Sequence, residues 1–138
     1  MVMRKVLLLV LASLLMMAAC VSGLDTSDPD EIGTLAVVPA AYAGKSNPLG
    51  TEAEVAGAEV FETNCVMCHG PEGHGDGPAG VSLQPRPKNL AVLKESASDD
   101  YLFWRISEGK PGTSMLAWKS ILTEDQIWQA VSFIRSLE

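Results

Sequence analysis

Apolar positions fall into three regimes along the chain. Val6 to Ala19 is a run of 14 residues interrupted only by Ser13. Val21 to Gly50 has no period: acidic side chains at Asp25, Asp28, Asp30 and Glu31 are mixed with Gly23, Pro29, Gly33, Pro39 and small residues. From Thr51 a helical period sets in. Val55, Ala58 and Phe61, and Ala56 and Val60, recur at helical spacing behind Thr51-Glu-Ala-Glu54, which reads as a capped helix start, the helix ending near Asn64. His69 to Pro87 alternates glycine and proline and reads as loop. A second helix is expected over Ser98–Glu108, with Leu102, Phe103 and Ile106 on one face and Gly109 as its stop. A third starts at Thr123-Glu-Asp-Gln126, a capping-box pattern, and carries Ile127, Ala130, Val131, Phe133, Ile134 and Leu137. No stretch alternates as a strand does, so the domain is expected to be all-α.

The first run has the layout of a secretory signal. Arg4 and Lys5 precede it, and Ala18 and Ala19 follow. It is shorter than the about 20 residues that a spanning helix needs. Met17-Ala-Ala-Cys20 resembles a bacterial lipobox, although leucine is usual where Met17 stands. That resemblance implies cleavage after Ala19 and a lipid on Cys20. The expected organisation is a lipoprotein-type signal peptide over 1–19, a lipid-anchored flexible tether over 20–50 and a compact domain over 51–138. The chain is then exported and sits in the periplasm or on the outer face of the cell membrane.

Composition narrows the function. Ten basic side chains against 17 acidic ones give a formal charge of −7. With no basic stripe to neutralise phosphate, nucleic acid is excluded as a partner. A length of 138 residues excludes most large enzyme folds. Two of the three cysteines fall in Cys65-Val-Met-Cys68-His69. C-x-x-C-H is the attachment sequence of c-type haem. Two thiols three residues apart on a helical turn can add to the two vinyl groups of one porphyrin, and the adjacent histidine then lies under the iron. A thioredoxin-like pair would need a preceding strand, and here a helix precedes. A zinc set of Cys65, Cys68, His69 and His74 would need adjacent Cys68 and His69 on one ion, against the usual spaced pairs. Pairing Cys65 with Cys68 in one motif leaves Cys20 alone, which suits a thioether to lipid.

Gly57-Ala-Glu-Val-Phe61 followed by Cys65-Val-Met-Cys68-His69-Gly70, together with Met115 and the closing helix from Thr123 to Leu137, resembles class I cytochromes c over about Thr51–Glu138. The resemblance implies helices wrapped around one haem c, covalent through Cys65 and Cys68. Its N- and C-terminal helices cross, with Gly57 permitting close approach and Ala130 or Phe133 facing it. It implies His69 as the proximal iron ligand and Met115, from the loop Gly109–Trp118, as the sixth. Met67 sits between the attachment cysteines, and His74 is too close to His69 to cross to the far face. The Pro78 carbonyl is implied as the acceptor that orients His69. Arg86, Lys88 and Asn89 are candidates for the haem propionates. Trp104, Trp118 and Trp128 are expected against the haem or the helix crossing.

These residues imply an electron carrier rather than an enzyme, in a respiratory or photosynthetic chain. Lipobox, tether and one haem domain together resemble the small cytochrome subunit of alternative complex III, and also tethered cytochromes that feed haem–copper oxidases. The expected partners are membrane lipid through Cys20 and redox proteins, as subunits of a quinol-oxidising or oxidase complex. The competing reading is a haem enzyme or gas sensor with an open iron, which requires Met115 to be off the metal.

Overall fold

A computed structural model describes residues 35–138. The expected signal peptide, Cys20 and the first part of the expected tether lie outside the described residues. Helix α1 spans Ala53–Asn64, α2 Val66–His69, α3 Leu90–Leu93, α4 Asp99–Glu108 and α5 Glu124–Ser136, with a 3-10 turn at Gly80–Ser82. Among the described residues there is no strand, as the absence of alternation predicted. No helix among them is long and apolar enough to cross a membrane.

The three long helices follow the periodicity, and the capping chemistry explains their ends. Thr123 Oγ1 accepts from Gln126 N–H at 3.2 Å, and Thr123 N–H donates back to Gln126 Oε1 at 2.9 Å, so the capping box at α5 is complete. At α1 the expected threonine cap is not used. Ala53 and Glu54 N–H donate to the backbone carbonyls of Gly50 and Thr51, so a backbone turn opens the helix instead. Helix α3 has only four residues and no period to announce it. Asn89 caps it, with Oδ1 accepting from Val92 N–H at 3.1 Å, which leaves its Nδ2 donors uninvolved in the cap.

The core forms where α1 and α5 cross and α4 packs beside α5. Phe61, Ile127, Ala130 and Val131 are sealed there. Phe61 meets Phe133 with ring centroids 4.9 Å apart, and Phe103 stacks on Trp128 at 4.2 Å. The crossing is close because position 57 has no side chain: a Cβ there would lie 2.0 Å from the Gln129 carbonyl oxygen and 3.0 Å from Phe133 Cβ. Arg135, near the end of α5, ties that end to the α3–α4 connection. Its guanidinium donates to Asp99 at 2.9 Å, to the Lys94 carbonyl at 2.5 Å and to the Ala97 carbonyl at 2.7 Å.

Residues 35–50 depart from the expected flexible tether. Leu35, Val38, Tyr42 and Leu49 pack against the core, and a turn closes on the Pro39 carbonyl from Tyr42 and Ala43 N–H. Apolar side chains without a period can dock on helices that already offer a surface, because burial needs contact rather than regular structure.

Candidate functional site

The Cys65–His69 motif is held by the end of α1, by α2 and by a loop folded back over both. Helix α1 delivers Cys65, whose N–H donates to Phe61 O at 2.8 Å, and α2 continues through Cys68 and His69. The chain then reverses at Gly70. Gly75 N–H donates to His69 O at 2.8 Å, Gly77 N–H to Cys68 O at 3.2 Å and Ala79 N–H to Met67 O at 2.9 Å. This contact admits no side chain. A Cβ at Gly77 would lie 2.4 Å from Val66 O, and one at Gly80 would lie 2.0 Å from Cys68 O. The glycines of this loop therefore lock the motif backbone from outside, which leaves its side chains to the other side of the fold.

His69 is oriented by a backbone acceptor, and it is not Pro78. His69 Nδ1–H donates to the Lys88 carbonyl at 3.3 Å. A carbonyl only accepts, so Nδ1 carries the proton and Nε2 keeps a free lone pair for a metal. Pro78 is exposed on the turn between Gly77 and Ala79, where those residues run back over Cys68 and Met67. The segment that reaches His69 is Pro87–Leu90, stitched to the loop by Leu90 N–H on Gly73 O at 2.7 Å. Burial holds the His69 pKa below its ordinary value, and the Lys88 carbonyl opposes part of that shift. The neutral imidazole is the form that ligates metal.

Cys65 and Cys68 are free thiols. Burial, and then the neighbouring Cys68, push the Cys65 thiol up to about 12. No group of three or more His, Cys, Asp or Glu side chains converges on a metal position among the described residues, so the zinc set does not assemble. His74 is instead partly exposed, with Nδ1 3.6 Å from a Glu72 carboxylate oxygen.

Met115 lies in a loop pinned to the last turn of α4. Trp118 N–H donates to Ile106 O at 3.1 Å and Lys119 N–H to Ser107 O at 3.2 Å. Within the loop, Thr113 Oγ1 accepts from Met115 N–H at 3.1 Å and Lys110 N–H donates to Met115 O at 3.2 Å. The Met115 side chain is partly buried and packs against the core, as do Cys65, Val66, Leu93, Trp104 and Trp118. Met67 is 59% exposed. Trp128 is buried where α5 packs on α4, stacked on Phe103. Trp104 carries the Arg105 guanidinium 4.0 Å from its ring centroid, a cation–π contact with no signal in the spacing of the sequence.

Two free thiols on one turn, a neutral buried imidazole with Nε2 available, and a set of half-buried aromatic and thioether side chains fit a covalently held haem. Cys65 and Cys68 are the residues that would hold such a group, and His69 the one that would ligate its iron.

Comparison with known proteins agrees with this geometry. The family model described as cytochrome c matches residues 54–138. A solved structure of the Kuenenia stuttgartiensis reducing HAO-like protein complex Kustc0457/Kustc0458 is 26% identical with a TM-score of 0.58. The match covers 65% of this chain and 46% of that one, so the chain spans under half of that relative's length. The KustC0563 c-type cytochrome is 24% identical with a TM-score of 0.51 over 59% of this chain and 96% of that one, a likeness of fold. No curated protein matches the sequence.

Proposed function

The chain belongs to the cytochrome c family, and on that premise we propose that it is a membrane-tethered, mono-haem carrier of single electrons. The family implies a covalently bound haem c and electron transfer. We assign the attachment to Cys65 and Cys68, the iron ligands to His69 and Met115, and the count to one haem. The observation that carries it is the His69 imidazole, neutral, buried and donating Nδ1–H to Lys88 O beside two free thiols.

The haem supplies the one-electron couple when bound. The chain's part is positioning and exclusion. The Lys88 carbonyl fixes the His69 ring and raises the basicity of Nε2. The glycine loop holds the Cys65–Cys68 spacing rigid, so little of the chain has to reorganise when charge changes. Trp104, Trp118 and Met115 are partly buried against the core and would offer a bound haem apolar surface, which would limit water and favour the less charged, reduced form. A thioether from Met115 would fill the remaining position and limit the iron to outer-sphere transfer.

Denaturing mass spectrometry tests the attachment. The chain should be heavier than its polypeptide by one haem, and acid acetone should not extract the pigment. Cys68→Ala should leave a single thioether or apoprotein. Extractable pigment in the parent would sink the assignment.

The tether and the site of action belong to the same proposal. Cys20 is taken as lipidated, on the likeness of Met17–Cys20 to a lipobox, and the domain as held on the outer face of the cell membrane. The donors and acceptors are taken as subunits of a membrane electron-transfer complex, quinol-oxidising or oxidase. One solved relative is itself part of a protein complex, which supports partner proteins in general. Cys20→Ser should release the protein from membranes or block its processing, read together with mass spectrometry of the mature N-terminus. An unlipidated Cys20 in a membrane-bound parent would rule out the lipid anchor.

A further inference from the structure

We infer that residues 35–50 are a strap that belongs to the haem domain, docked along α4 and α5 through residues 42–47, so that this stretch adds nothing to the length of a tether. The family match begins at residue 54 and so does not include the strap. Its contacts reach both ends of α4. Gly44 N–H donates to Asp100 Oδ2 at 2.8 Å, in the first turn, and Tyr42 O–H donates to the Glu108 carboxylate, in the last. They also run down α5. Lys45 Nζ lies 3.4 Å from Glu124 Oε1, at its start, and Asn47 Nδ2 donates to Trp128 O at 3.2 Å and Ser132 Oγ at 2.9 Å, in its middle. The Tyr42 ring lies 6.1 Å from Phe103, and the Lys45 ammonium sits 5.3 Å from the same ring.

The exposed ion pair contributes little by itself. The weight rests on the Asn47 bridge and on the apolar side chains Leu35, Val38, Tyr42 and Leu49, which are partly buried against the core. The strap links α4 to α5 at several points, so releasing it costs several contacts at once.

The consequence concerns the tether and rests on the lipid-anchor reading above. A chain free from Cys20 to Gly50 spans at most about 105 Å when fully extended, whereas one free only to residue 35 spans at most about 50 Å. The strap halves the greatest distance the haem domain can stand off its anchor. The device therefore restricts reach toward partners at the same membrane.

Hydrogen–deuterium exchange and neutron reflectometry on the full lipidated holoprotein at a supported bilayer test the two parts separately. In the parent, amides of residues 42–45 and 49 should be protected. In the double variant Tyr42→Ala with Asn47→Ala, they should exchange at least about tenfold faster while α1 amides keep their protection. The protein layer should also extend further from the bilayer in the variant. Unprotected amides in the parent overturn the strap. Protection in the parent with the same layer thickness in both proteins overturns its role in reach. A parent that does not bind the bilayer overturns the anchor reading instead, and the exchange result still decides the strap.

Discussion

Replacing Met115 by leucine should change the spectrum and the potential of the haem protein while leaving its fold intact. Leucine keeps nearly the same volume in a half-buried position, so packing changes by less than about 1.5 kcal/mol. What it removes is the sulfur. If that sulfur ligates iron, the oxidised parent is low-spin with a weak near-infrared sulfur-to-iron band, and Met115→Leu loses the band. The variant should then bind carbon monoxide or cyanide that the parent excludes. Met115→His should stay low-spin, with a potential lower by something on the order of 0.2 V within the roughly 0.8 V that axial ligands span. The loop makes Met115→Leu a clean test, because Met115 is held through backbone bonds to Thr113 and Lys110 that the substitution keeps. A spectrum and potential unchanged in Met115→Leu would make Met115 a packing residue. The open-iron reading, as haem enzyme or gas sensor, would then take precedence over the electron carrier.

What could be read before the structure was what repeats or carries a fixed motif. The apolar faces of α1, α4 and α5 have enough turns for a period to stand out, and Thr123–Gln126 is a two-sided cap with a spacing of its own. Cys65–His69 is legible because covalent chemistry fixes its spacing. Three things had no such signal. The acceptor for His69 is a backbone carbonyl, which every residue has, so sequence could offer only the family's proline and chose Pro78 where Lys88 serves. Helix α3 is one turn long, and its cap, Asn89, could as well have been a loop amide. Residues 35–50 look like linker because their apolar side chains follow the surface of α4 and α5 rather than a period of their own. Local patterns encode local structure, whereas docking of irregular chain is encoded in the surface it meets.

The second large effect is expected at Gly57, where two energies of opposite sign compete. On an isolated helix, Gly57→Ala would stabilise α1 by about 1 kcal/mol, because glycine loses the most backbone freedom on folding. In the folded protein the new Cβ would lie 2.0 Å from the Gln129 carbonyl oxygen. That oxygen belongs to the backbone of α5 and cannot rotate away, and Phe133 Cβ at 3.0 Å blocks a sideways shift. The helices must separate by an ångström or more, which opens the contact between Phe61 and Phe133 and unseats Ala130 and Val131. Overpacking typically costs about 1–3 kcal/mol, and a clash with unyielding backbone belongs at the upper end or beyond. The clash therefore wins, with a net loss of about 2 kcal/mol and a fall in Tm of roughly 8–16 °C for a domain of this size. Gly57→Val should lose more, since a branched side chain meets the same carbonyl with two further methyl groups. Glu62→Ala, on an exposed position of the same helix, should stay within about 0.5 kcal/mol of the parent. Thermal denaturation of the holoprotein measures all three. A Gly57→Ala variant more stable than the parent by about 1 kcal/mol would mean that helix propensity decides the sign and that α1 and α5 do not cross at backbone contact.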